Sequence, residues 1–152
     1  MSATEEIELE PIGFVKTKAV GKEVRDRGSI SEIVFREELA EALEGVEDFS
    51  HVFVIFWMHE LPREERRKMK VHPRGRKDMP LLGVFATRTP HRPNPLGLTL
   101  VEVLSVKSNV VTVRGLDAFD GTPVLDMKPF DYMDTTGDAR VPEWWVRLKQ
   151  ER

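Results

Sequence analysis

The 152-residue chain contains no cysteine, which removes disulfides, thiolate nucleophiles, cysteine-held zinc and iron–sulfur clusters together. It also lacks any apolar run approaching the ~18 residues of a membrane span. Its opening, MSATEEIELE, has no basic-then-apolar signal pattern. A cytoplasmic protein without a membrane partner is therefore expected. Neither GxGxxG nor GxxxxGKS/T occurs, so neither a Rossmann nor a P-loop nucleotide site is expected. GxSxG is missing too, leaving serine hydrolase chemistry without support. His51, His59, His72 and His91 stand at irregular intervals, with no i, i+2 or i, i+4 pair, so no metal site is expected.

What is present describes a globular protein with a charged exterior: 40% of residues are hydrophobic and 32% charged. A chain of this length can bury about two-thirds of its unfolded surface without a staple. The net charge of −3 hides a division. Glu37, Glu38, Glu41, Glu44, Glu47 and Asp48 crowd one segment, whereas Arg63, Arg66, Arg67, Lys68, Lys70, Arg74, Arg76 and Lys77 crowd another. The second block reads either as an ordinary solvated loop or as a grip for a polyanion, with Arg74 and Arg76 as candidate substrate contacts.

Patterning predicts strands at short intervals. Ile7–Lys18 alternates imperfectly around Pro11 and reads as an edge or bulged strand. A polar loop to Ser31 and a short strand at Ile33–Phe35 follow. Glu37–Leu43 reads as a short helix ended by Gly45. His51–Met58 (HVFVIFWM) reads as a core strand buried on both faces. Leu81–Ala86 reads as another strand, Leu98–Val106 and Val110–Val113 as a hairpin around Ser108-Asn109, and Pro123–Met127 as a last strand. The expected fold is mainly β: a small antiparallel barrel over residues 7–135, with one short helix, and an extended tail over 136–152. Trp144 and Trp145 in that tail need a partner, either the core or a dimer mate.

Two runs carry the chemistry. In TRTPHRPNPLG (Thr87 to Gly97), Pro90, Pro93 and Pro95 stiffen a loop that carries Arg88, His91 and Arg92. It reads either as a connector with solvated arginines or as a pair of guanidinium forks for a carboxylate or phosphate. In GLDAFDGTPVLDMKP, Asp117, Asp120 and Asp126 stand among glycines and prolines, and Asp120 before Gly121 fits turn chemistry.

Taken with PIGFVKT and LEGVEDFSHVFVIFWMHE, the runs GVFATRTPHRPNPLGLTLVEV and LDAFDGTPVLDMKPF make four ordered blocks from Pro11 to Pro129. The chain resembles the TsaA-like/TrmO family of S-adenosylmethionine (SAM) dependent tRNA methyltransferases. The resemblance implies a small β-barrel that binds SAM outside any Rossmann fold, a homodimer with its cofactor pocket near the interface, and N6-methylation of threonylcarbamoyl-adenosine beside the anticodon. It implies cofactor contacts at His59, Glu60, Arg88, Leu98, Leu116 and Asp117, with a further contact around Arg27-Gly28-Ser29. Arg92, Asn94 and Lys128 become candidates for substrate contact or pocket geometry, and Asp126 or His91 for the catalytic base. Longer members add a C-terminal domain thought to help with tRNA. Two rivals stay open: a non-catalytic RNA-binding barrel and a SAM-dependent methyltransferase acting on a small molecule.

Overall fold

The apolar run HVFVIFWM forms a strand, but one that alternates. Val52, Val54 and Phe56 are at most 5% exposed, while His51, Phe53, Ile55 and Trp57 between them are only half-buried. The expectation of burial on both faces is thus corrected: one face points into a barrel and the other is an apolar outer surface. The computed structural model describes residues 5–151. Its strands are β1 (Gly13–Lys16), β2 (Ile30–Phe35), β3 (His51–Trp57), β4 (Lys70–Val71), β5 (Leu82–Gly83), β6 (Leu96–Lys107), β7 (Val110–Arg114) and β8 (Pro123–Pro129).

Six strands close an antiparallel barrel in the order β1-β2-β7-β6-β3-β8, with β8 returning to β1 through Gly13 opposite Val124. Period-two patterning fills it: Val15, Ile33, Val54, Val101, Val111, Val113 and Val124 are at most 2% exposed. β1 is therefore no edge strand. Pro11 precedes it, where its missing N–H interrupts no ladder. The β6–β7 hairpin turns at Ser108, whose φ of 55° is left-handed. Asn109 secures the tip, donating from Nδ2 to Phe35 O at 2.7 Å while its own carbonyl accepts Phe35 N–H at 2.8 Å. Register shifts at Ile55/Phe56 against β8 and at Val103/Ser105 against β7 bend the sheet toward closure.

Glu37–Leu43 winds as a 3₁₀ rather than an α-helix, burying only Leu43. A segment this short has too few turns for α-helix to outcompete the tighter winding. Leu81–Ala86 likewise splits into the two-residue β5 and a 3₁₀ turn.

The chain divides into two compact units. The barrel unit takes the chain up to His59 together with Leu96–Phe130. The second unit takes Glu60–Pro95 and the chain from Asp131 onward, so the segment expected as a tail packs with the basic excursion. In this unit β4 pairs with β5, and α1 (Glu143–Gln150) forms where an extended tail was expected. Glu143 in its first turn and Arg147 and Lys149 in its last complement the helix dipole. Eight residues need tertiary contacts to stay helical. Leu148 is buried, Arg147 Nη2 donates to Asp78 O at 2.8 Å, and Arg74 Nη1 reaches Leu148 O at 3.5 Å. Among the described residues no helix is long and apolar enough to cross a membrane.

Candidate functional site

The sequence-predicted residues fall into two groups, one in each unit. In the barrel unit, three segments far apart in sequence meet. Gly115 N–H donates to Ser29 O at 2.9 Å, joining the Arg27-Gly28-Ser29 loop to the stretch that carries Leu116 and Asp117. Gly115 has φ +93°, and a Cβ there would stand 3.3 Å from Arg27 O, so both conformation and space call for glycine. Thr99 Oγ1 then donates to Asp117 Oδ1, fixing one oxygen of that carboxylate and leaving the other as an acceptor. The Arg27–Ser29 loop is itself ordered by Asp26, whose Oδ1 accepts Gly28 N–H at 2.8 Å, and by Ser29 Oγ, which donates to Glu23 O at 2.9 Å.

Leu116 and Leu98 lie in opposite settings. Leu116 is 1% exposed and belongs to the barrel core, so its side chain cannot line a pocket and only its backbone is available to a ligand. Leu98 is 63% exposed and pairs with Ile55 on the outer face, opposite to its neighbour Thr99. It is not in the Asp117 cluster. Around it Leu96, Leu98, Leu100, Phe53, Ile55 and Phe130 make a contiguous apolar surface, with Phe53 and Phe130 edge to face at 5.7 Å. His59 is exposed just beyond the end of β3.

On β8, Asp126 and Lys128 share a face with Ile55 and Phe53. Asp126 Oδ1 accepts Met127 N–H at 2.8 Å, and Lys128 Nζ lies 3.7 Å from Asp126 Oδ2. Lys128 also lines a shallow cleft of about 250 Å³ with Val46, Phe49 and Met127. Asp120 holds a turn, accepting Thr17 N–H at 3.0 Å, as its position before a glycine predicts.

The second unit holds Glu60, Arg74, Arg76, Arg88, His91, Arg92 and Asn94. The proline-stiffened loop is knitted from within. Thr89 N–H and His91 N–H bond to the hydroxyls of Thr87 and Thr89 at 3.3 and 3.2 Å. Arg92 Nη1 donates to the carbonyls of Thr87 and Thr89 at 3.1 and 2.9 Å. Arg92 thus shapes the loop. Arg88 is left exposed, its guanidinium 5.3 Å from the centre of the Trp145 ring. Glu60 and Asn94 are exposed.

His91 has an acidic neighbour that motif reading passed over, because Glu65 lies inside the block singled out for its cations. His91 Nδ1 stands 3.1 Å from Glu65 Oε2, both atoms shielded from solvent. The two atoms face each other without the alignment of a hydrogen bond. Lys68, 2.8 Å from the same oxygen, and then His91 hold the Glu65 carboxyl below its ordinary range. Arg76 is committed elsewhere: it bonds Asp78 and Glu151, each at 2.5 Å, which raises its own pKa and lowers that of Asp78. It closes the second unit on itself, an occupation that competes with the substrate contact expected of it.

Comparison with known proteins gives the family. A Methanothermobacter thermautotrophicus protein named "Probable S-adenosyl-L-methionine-binding protein" is 44% identical over 130 residues, covering 82% of this chain and 90% of that protein. An Archaeoglobus fulgidus "S-adenosyl-L-methionine-binding protein" is 40% identical over 127 residues, covering 80% and 88%. The crystal structure of TrmO from P. aeruginosa superposes with a TM-score of 0.75 at 31% identity, covering 95% of this chain but 64% of that one. The tRNA-methyltransferase O N-terminal domain family matches residues 16–135, and the chain belongs to that family.

Proposed function

We propose that the chain is a SAM-dependent methyltransferase that methylates N6 of threonylcarbamoyl-adenosine in tRNA and works as a homodimer. One observation carries the cofactor assignment: proteins named for binding SAM match four-fifths of this chain at 40–44% identity. The local chemistry fits such a group. The Ser29–Gly115–Asp117 cluster offers backbone carbonyls and a half-free carboxylate for amino and hydroxyl donors. Arg88 offers a guanidinium for the cofactor's carboxylate. SAM, when bound, would supply an electrophilic methyl group for in-line displacement.

The residues then have to align the acceptor and exclude water. A ureido-linked adenine nitrogen has a delocalised lone pair, so loss of its proton assists attack. Asp126 or His91 takes that proton. With Nδ1 turned to Glu65, His91 keeps Nε2 as its basic nitrogen in the tautomer that carries Nδ1–H. Alanine replacements of Asp126 and His91, followed by single-turnover methyl transfer, test the base: a slowed chemical step in one of them is expected, and near-wild-type rates in both would remove the idea.

The dimer reading draws on the apolar outer face around Leu98 and Leu100. Light scattering should report twice the chain mass for the wild type and a monomer for Leu100→Glu; a monomeric wild type refutes it. The activity is tested by mass spectrometry of nucleosides from tRNA incubated with protein and SAM. A mass gain of one methyl on the threonylcarbamoyl nucleoside is expected. Binding heat for SAM without any tRNA product would leave a methyltransferase of another acceptor, and tRNA binding with no heat for SAM would leave an RNA-binding barrel.

A further inference from the structure

We propose that Trp145 is a positioning residue for the cofactor: its indole carries the Arg88 guanidinium and presents it to a carboxylate. The proposal rests on the reading of Arg88 as the group that pairs with the carboxylate of SAM. Trp145 lies outside the family-matched residues 16–135, so family membership gives it no role.

The argument starts from the flexibility of arginine. An exposed arginine gives up side-chain freedom when it is fixed in one geometry. Two features reduce that loss for Arg88. Its backbone sits in the loop that Thr87, Thr89 and Arg92 knit together, so its Cα is already placed. Its guanidinium then stands 5.3 Å from the centre of the Trp145 ring, within the range of cation–π attraction.

Contact through the π face leaves the in-plane N–H donors free, and those are the donors a carboxylate takes in bidentate pairing. The indole therefore steers Arg88 without competing for its ligand. Lys149 Nζ, also 5.3 Å from the ring centre, adds a second positive charge beside the same indole.

Trp145 can do this because it is itself held. It is half-buried, packs edge to face on Trp144 at 5.6 Å, and stands on α1, which is anchored through Leu148, through Arg147 to Asp78 O, and through the Arg76–Glu151 pair. A chain of contacts thus runs from the buried Leu148 to an exposed guanidinium, all within the second unit.

The test measures calorimetric affinity for SAM and for decarboxylated SAM, which lacks the carboxylate, with wild type, R88A, W145L and W145F. Leucine keeps an apolar anchor and removes the π face; phenylalanine keeps the face. R88A is expected to weaken SAM by ~10-fold or more and to leave decarboxylated SAM unchanged. W145L is expected to weaken SAM alone by ~2- to 5-fold, with W145F close to wild type. Wild-type affinity for SAM in W145L overturns the proposal, as does equal loss for both ligands or unfolding of W145L and W145F alike, since each makes Trp145 a structural anchor only. If R88A fails to discriminate the two ligands, the reading of Arg88 falls first and the proposal falls with it, an outcome separable from failure of W145L alone.

Discussion

Gly97 shows how tightly single residues are set in the barrel. A Cβ built on it would stand 2.2 Å from the Phe56 ring, far inside van der Waals contact. Gly97→Ala must push a core aromatic out of its rotamer, so a loss of ~1–3 kcal/mol is expected in denaturant unfolding. Wild-type stability would mean that Phe56 has room to move. Glu65 sets a second expectation. Its carboxyl is held low by Lys68 and then His91, so its contribution to stability is present above the ordinary glutamate range and disappears as pH falls through its depressed folded value. The melting-temperature gap between wild type and Glu65→Gln should shrink on acidification from neutral pH; a gap that widens refutes this. At this scale the sequence exposes Arg88, His91 and Asp117 through their company of prolines and glycines. It conceals Glu65, submerged among arginines, and the inward turn of Leu116, which depends on barrel closure rather than on any local pattern.

Elements were legible where the pattern was long and concealed where packing decides. The β6–β7 hairpin, with its turn at Ser108, follows from alternation and turn chemistry alone. The reading of β3 as doubly buried went astray because an apolar outer face and a buried one look identical in one dimension. Helix α1 is hidden for a similar reason: eight residues with two adjacent tryptophans carry little intrinsic helix signal, and hydrogen bonds to and from residues 74–79 hold them. Removal of residues 142–152 should therefore speed amide exchange across 72–79, read by hydrogen–deuterium mass spectrometry, while β2, β3 and β7 keep their protection. Slow exchange across 72–79 in the truncated chain would show that α1 contributes nothing to the second unit.

For the whole molecule, the sum of charges is a poor guide to its partner. The net charge of −3 opposes a polyanion, yet Arg63, Arg67, Lys70 and Lys77 are exposed and have no ion-pair partner among the described residues. If these four cations meet tRNA phosphates, the logarithm of affinity should fall against the logarithm of salt with a slope of about −3. A slope near zero, or unchanged affinity when Arg63, Arg67 and Lys70 are made neutral, removes this surface from the interface. That four cations remain for the task while Arg76 and Lys68 are occupied is a fact of folding, since their acidic partners Glu151 and Glu65 are only in part neighbours in sequence.

Closure of the six-stranded barrel has one more effect. Every barrel strand has a hydrogen-bonded neighbour on both sides, so none of them is left as an edge along its whole length. A partner strand finds no full-length edge on this sheet, so it meets the barrel mainly through side chains, which makes recognition there depend on shape and residue identity and guards the β-rich unit against runaway edge-to-edge growth.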